Sequence, residues 1–225
     1  MRSLCLAVLL MCLCSLVSGQ ADDSEPRQLR AYIAGDIGMG LPTGRWGRRQ
    51  IDHPFMYGFE MGFKTYRQLY VGVSYHRLQF PTVFSAGLSG GDISLYSEHH
   101  YAMASARWLP TGGKYLRPFV VGRVGAAIHD AGFRFIDFDG SLGQRISEHS
   151  DTGVAFGVEG GLHIRLFYFM AINVSGAYMH TTPVTYVYDT ATLGLATSDT
   201  AIWLPKVGII VSTWEYDEIG VVDYW

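Results

Sequence analysis

The sequence predicts an all-β chain: an eight-stranded antiparallel up-and-down transmembrane β-barrel. Three observations carry the prediction. Segment after segment alternates between an oily face and a small-or-charged face. Glycine and aromatic residues are abundant while charged residues are sparse. Short and long connections alternate along the chain. A period of two is the signature of a strand, whose successive side chains point to opposite sides.

The ends are read first. The opening stretch "MRSLCLAVLLMCLCSLVSGQA" places Arg2 before an apolar core and small residues, the layout of a secretory signal peptide with cleavage after Gly19. Its apolar core is shorter than the roughly 20 residues of a spanning helix. All three cysteines (Cys5, Cys12, Cys14) lie in it, and no small residue precedes Cys12 or Cys14, which argues against lipidation. Residues 1–19 are thus expected to be a signal peptide and 20–225 one barrel domain, with 215–225 a candidate periplasmic tail. The exported portion has no cysteine, which excludes disulfides and thiolate chemistry. A net charge of −3 gives no reason to invoke nucleic acid, and no cofactor is called for.

The strands follow in order. In 29–39, Leu29, Ala31, Ile33, Ile37 and Met39 oppose Arg30, Tyr32, Asp36 and Gly38. In 55–66, Phe55, Tyr57, Phe59, Met61 and Phe63 oppose Met56, Gly58, Glu60, Gly62 and Lys64. A helix would pair Glu60 with Lys64, but Gly58 and Gly62 are poor helix residues and the apolar side chains would surround it. Leu69, Val71, Val73 and Tyr75 oppose Gly72, Ser74 and His76. Between 96 and 109, Ala102, Ala104, Ala106 and Trp108 oppose His99, Ser105 and Arg107, although Tyr101 and Met103 share the polar side. Further strands are expected at 116–128, 154–165 and 168–178. They carry Arg117 and Arg123, then Glu159, His163 and Arg165, then Asn173 and Ser175 on their polar faces. The last, 201–214, is apolar on both faces and its register is open. Links at 67–68, 110–114 and 166–167 are short; those at 42–54, 81–95, 130–150 and 182–199 are long. Such alternation puts all short turns at one end of a meander, and closure removes the exposed edges.

Volume sets the orientation. An eight-stranded interior is only just filled by side chains, so a lumen lined by the Phe55–Phe63 row and its like would be overfull. The other face offers Gly58, Gly62, Gly72, Gly125, Gly157, Ser74 and Ser105. The apolar face therefore points to lipid. The lumen is expected to hold a paired network of Arg30, Asp36, Glu60, Lys64, Arg107, Arg117, Arg123, Glu159 and Arg165. Since its cations outnumber its acids, a water path would favour anions, whereas a salt-bridged plug would conduct nothing. Aromatic girdles are expected from Tyr66, Tyr70, Trp108 and Tyr168 near the short turns and from Tyr57, Tyr75, Tyr178 and Trp203 towards the loops.

Signal peptide, eight amphipathic strands, short turns, long loops and a charged lumen resemble the small outer-membrane barrels of OmpA, OmpX and OmpW type. The resemblance covers nearly all of the chain after the signal peptide, and it is one of pattern. It implies a bacterial outer-membrane protein with periplasmic turns and outer loops. Its partners would be outer-membrane lipid, the barrel-assembly machinery and an extracellular ligand or host partner. Such proteins end on an aromatic residue of the last strand. Here Trp214 fits, but "EYDEIGVVDYW" follows it.

The chemical motifs are weak. "GLSGG" (87–91) matches a nucleophile-elbow pattern but no helix signal follows it. Gly44-Arg45-Trp46 is similar to the lipocalin Gly-x-Trp but lies in a loop, and the Asn173 sequon falls within a spanning strand. His76, His99 and His129 are inward by alternation on three consecutive strands and are a candidate metal site through imidazole nitrogen. The expected function is non-enzymatic, either permeating small solutes or presenting long surface loops. The alternatives are a lipid A-modifying barrel enzyme, for which Ser175 and His180 are badly placed, and a secreted lipocalin-like binder.

Overall fold

The structure, a computed structural model, describes residues 31–43, 53–66, 68–80, 84–88, 91–110, 115–137, 142–167, 169–189 and 194–212. Eight long strands form the wall: β1 (Ala31–Met39), β3 (Phe55–Tyr66), β4 (Leu69–Phe80), β6 (Gly91–Trp108), β7 (Leu116–Asp137), β8 (Leu142–Arg165), β9 (Met170–Asp189) and β10 (Gly194–Ser212). Two short strands accompany them. β2 (Leu41–Thr43) continues β1 along β10, and β5 (Phe84–Leu88) pairs with β6. Consecutive long strands pair antiparallel, and β1 pairs with β10 from Tyr32↔Ser212 to Gly38↔Lys206, which closes the barrel.

The faces sort as period two requires. On β3, Phe55, Tyr57, Phe59 and Met61 are exposed while Met56, Glu60 and Gly62 are buried. Around the wall, Ile33, Val124, Phe156, Val158, Val174, Trp203 and Ile209 continue a belt of large apolar side chains facing outward. Water would not tolerate so continuous a patch on a monomer. Two aromatic expectations need adjustment. Tyr66 and Trp108 stand on the outer face, but Tyr70 is buried and meets Tyr32 edge-on at 5.7 Å. Leu69 faces outward, so its neighbour must face in. Tyr168 lies outside the described residues.

The wall is taller on one side than the expected loops allow. β3 and β4 have 12 residues each, but β7 has 22 and β8 has 24. Much of 81–95, 130–150 and 182–199 is strand, because β7 pairs with β8 out to Ile136↔Leu142 and β9 with β10 out to Asp189↔Gly194. The pairing of β8 with β9 stops at Ala155↔Thr181. Past the belt the wall therefore continues as two units, β6 to β8 and β9 with β10. Above the belt no face has to be apolar, so polar sequence such as "GQRISEHSD" forms strand without an alternating pattern to announce it.

Candidate functional site

The lumen is the part of the molecule where charge is concentrated. Alternation brings Asp36 (β1), Glu60 (β3), Arg107 (β6), Arg123 (β7), Glu159 (β8) and Lys206 (β10) to one level inside the wall. Arg107 holds Glu60 Oε1 through Nε and Nη2, each at 3.0 Å. Tyr32 donates its hydroxyl to the same oxygen, and Arg123 Nη2 donates to Glu60 Oε2. Arg123 Nη1 reaches Glu159 Oε2 at 2.5 Å. Lys206 Nζ sits 2.8 Å from that Glu159 oxygen and 2.7 Å from Asp36 Oδ2. His76 Nδ1 is 3.5 Å from Asp36 Oδ1. The network is thus continuous from Arg107 to His76, and its three acids match its three cations. Glu60, Glu159, Arg107 and Arg123 are almost wholly buried, where charges persist only if paired.

Apolar layers flank this level on both sides. Towards the hairpins lie Met56, Leu78, Tyr101, Met103, Met179, Ile202 and Leu204. Towards the short turns lie Tyr32, Tyr70, Leu109, Phe119, Val121 and Ile210. The Arg107 guanidinium lies 4.6 Å from the Phe119 ring centroid and 5.1 Å from that of Tyr32. Charged and apolar side chains approach closely at two glycines. A Cβ on Gly58 would run into His76 Nδ1, and one on Gly62 would meet the Tyr32 ring at 2.8 Å.

The residues expected from sequence are distributed as follows. Asp36, Glu60, Arg107, Arg123 and Glu159 meet in the central network. Lys64, Arg117 and Arg165 are half-buried at the short-turn end, and Arg30 lies outside the described residues. Two members were not read from the sequence. Lys206 sits on β10, whose two apolar faces hide its register, and Tyr32 shares the polar face of β1 with Asp36. Of the histidines, His99 and His129 meet with ring centroids 3.9 Å apart beside Phe80. His76 pairs in register with Tyr101, two positions along β6 from His99, and sits against Asp36. Among the described residues, no group of three His, Cys, Asp or Glu side chains is arranged to hold a metal ion.

The remaining motifs fall as follows. Of "GLSGG", Gly87 and Leu88 end β5 and Gly91, which pairs with Leu88, begins β6, so a strand and not a helix follows the motif; Ser89 and Gly90 lie outside the described residues. Asn173 points into the lumen, 2.9 Å from His163 Nδ1. His180 packs at 5.1 Å on Phe156, whose ring faces outward. Ser175 alternates with the buried Asn173 and Ala177 and so faces in. Gly44, Arg45 and Trp46 lie outside the described residues.

A closed ring of eight antiparallel strands, oily outside and with a packed charged interior, decides the class. The fold is that of the small outer-membrane β-barrels. Among solved structures, Neisserial surface protein A (NspA) superposes with a TM-score of 0.53 at 15% identity, covering 80% of this chain and 96% of its own. A major outer membrane protein from Thermus thermophilus gives 0.53 at 10% identity, covering 81% and 98%. No family model matches the chain, and no curated protein matches it.

Proposed function

We propose that this chain is a bacterial outer-membrane barrel whose wall is a rigid mount for its projecting hairpins, and that it is neither a solute channel nor an enzyme. One observation carries the reading: a charge-balanced layer is packed between two apolar layers in the lumen. An ion crossing it would have to separate buried partners and then pass a dry layer, each step costing several kcal/mol. The uneven wall supports the second half. About 9–11 residues per strand suffice to cross a bilayer, while β7 and β8 run to 22 and 24. The excess stands outside, available to an extracellular partner. Against lipid A modification stands the placement of Ser175 and His180 on opposite faces of β9.

Reconstitution of the exported protein in planar bilayers tests the reading. No stepwise conductance is expected at physiological salt, and regular unitary steps would overturn it.

A further inference from the structure

The outer face is oily through the belt and changes character at the hairpin end on one side of the barrel. There β3, β4, β6 and β7 turn Tyr57, Tyr75, Arg77, Glu98, His100 and Asp130 outward, since Met56, His76, Leu78, His99 and His129 beside them are buried. These side chains are tied together across the strands. Arg77 Nη1 donates to the Tyr57 hydroxyl at 2.7 Å, and its Nη2 donates to Glu98 Oε2 at 2.6 Å. The Tyr75 hydroxyl meets His100 Nδ1 at 2.7 Å. His100 Nε2 lies 3.6 Å from Glu98 Oε2 and 3.7 Å from Asp130 Oδ2. Along the same rows of the ladder the wall continues into Phe55, Met39 and Ile37, so the charge is a local patch and not a ring.

The patch is continuous with the surface that meets lipid. Phe59, Val73, Ala102 and Ile128 face outward on the same four strands and lead down into the belt. The Phe59 ring packs on that of Tyr75 at 5.7 Å. Charge facing hydrocarbon is costly, so the patch marks the level of the headgroups. Its own chemistry narrows the choice among them. Glu98 and Asp130 are cross-strand partners, and like charges directly opposite destabilise a sheet. One guanidinium serves both carboxylates, and it holds Glu98. Among the described residues, Asp130 has no closer cationic side chain than the His100 ring. Acceptors are thus in excess, which favours a headgroup bringing hydroxyl or N–H donors over a bare phosphate. Tyr57 and Tyr75 add rings with polar tips, the side chains that gather where acyl chains give way to headgroups.

We infer that this patch holds the sugar headgroup of an outer-leaflet glycolipid. The hydroxyl and amide N–H groups of an amino-sugar donate to Glu98 and Asp130, and the acyl chains of the same molecule lie along Phe59, Val73, Ala102 and Ile128. Continuity with the belt favours a lipid over a soluble sugar, because one molecule then covers both surfaces. The inference rests on the reading that the hairpin end faces outside, the side on which a bacterial outer membrane presents glycolipid.

The test uses the full exported chain refolded into phosphatidylcholine vesicles with or without lipopolysaccharide. The glycolipid is present in both leaflets, so the outcome does not depend on which end of the barrel faces out. The temperature for conversion of the folded to the unfolded gel form is expected to rise with lipopolysaccharide. Most of that rise should be lost in E98A/D130A and kept in T152A, which alters the outer face of β8 beyond the patch. Should the double variant not fold, D130A alone, which leaves the Arg77–Glu98 pair intact, must show the loss. No rise in the unsubstituted protein, or an equal rise in the acid variants, overturns the inference. So does an equal rise with phosphatidylglycerol or phosphatidylethanolamine, neither of which carries a sugar. An equal rise with soluble N-acetylglucosamine would overturn it too, by assigning the patch to a free saccharide.

Discussion

Arg123 on β7 donates to Glu60 on β3, three strands away round the wall, while its other terminal nitrogen holds Glu159 on the adjacent strand. The pair thus crosses the lumen, and one guanidinium ties distant parts of the barrel. Arg123→Leu would leave two buried carboxylates short of a cation. Breaking such a pair costs roughly 3–5 kcal/mol. The expected result is a lower temperature for conversion of the folded to the unfolded gel form, with Glu60→Leu behaving alike. The double variant should cost clearly less than the sum, because the two residues share one interaction. Additive losses would mean that the network is wet.

Gly62→Ala probes the fit between the network and the layer below it. The added Cβ would sit 2.8 Å from the Tyr32 ring, and that ring bears the hydroxyl that bonds Glu60. Overpacking of this kind costs about 1–3 kcal/mol. Tyr32→Phe, which removes only a hydrogen bond to a charged group, should cost about 1.5–3 kcal/mol. Combining the two should cost less than their sum, since the alanine already displaces the hydroxyl. Urea unfolding in micelles reads all three.

How much of this was legible follows from where apolar side chains are needed. The outer face of each strand must be oily throughout the belt, so Phe55 to Phe63 displays its period plainly. Tyr101 and Met103 blur the pattern of β6, and Ile202, Leu204 and Ile210 blur that of β10, because the lumen has apolar layers of its own. An apolar inner face hides the period and with it Lys206. The pairing of Glu60 with Arg107 and Arg123 depends on stagger between strands, which alternation alone does not fix. His99 and His129 share a register position while His76 does not, for the same reason.

The belt makes its own prediction. Val124 and Val158 are about half exposed on the outer face, well inside their strands. Val124→Arg should destabilise the protein in phospholipid vesicles by about 2–4 kcal/mol, the cost of a cation facing lipid near the midplane. Thr152→Arg, on the same outer face of β8 but beyond Val154 towards the hairpins, should cost about 0–1 kcal/mol, the range near the interface. Equal costs at both positions would mean that this face does not meet a bilayer core.

Topology can be tested from outside the cell. The short connections and the tall hairpins lie at opposite ends of the wall, since every pair of consecutive long strands is antiparallel. Backbone polar groups must be paired to cross lipid, so segments that leave the ladder sit on one side or the other. An epitope inserted at Gly90, between β5 and β6, or at Asp139, between β7 and β8, should stain on intact cells. The same epitope at Gly112, between β6 and β7 at the short-turn end, should stain only after the outer membrane is opened. The two ends cannot share a side, so staining at Gly112 on intact cells would invert the whole orientation and place the uneven hairpins in the periplasm. Staining at Gly90 without Asp139 would instead show that the hairpin units do not rise together, and the projecting surface offered to a partner would have to be redrawn.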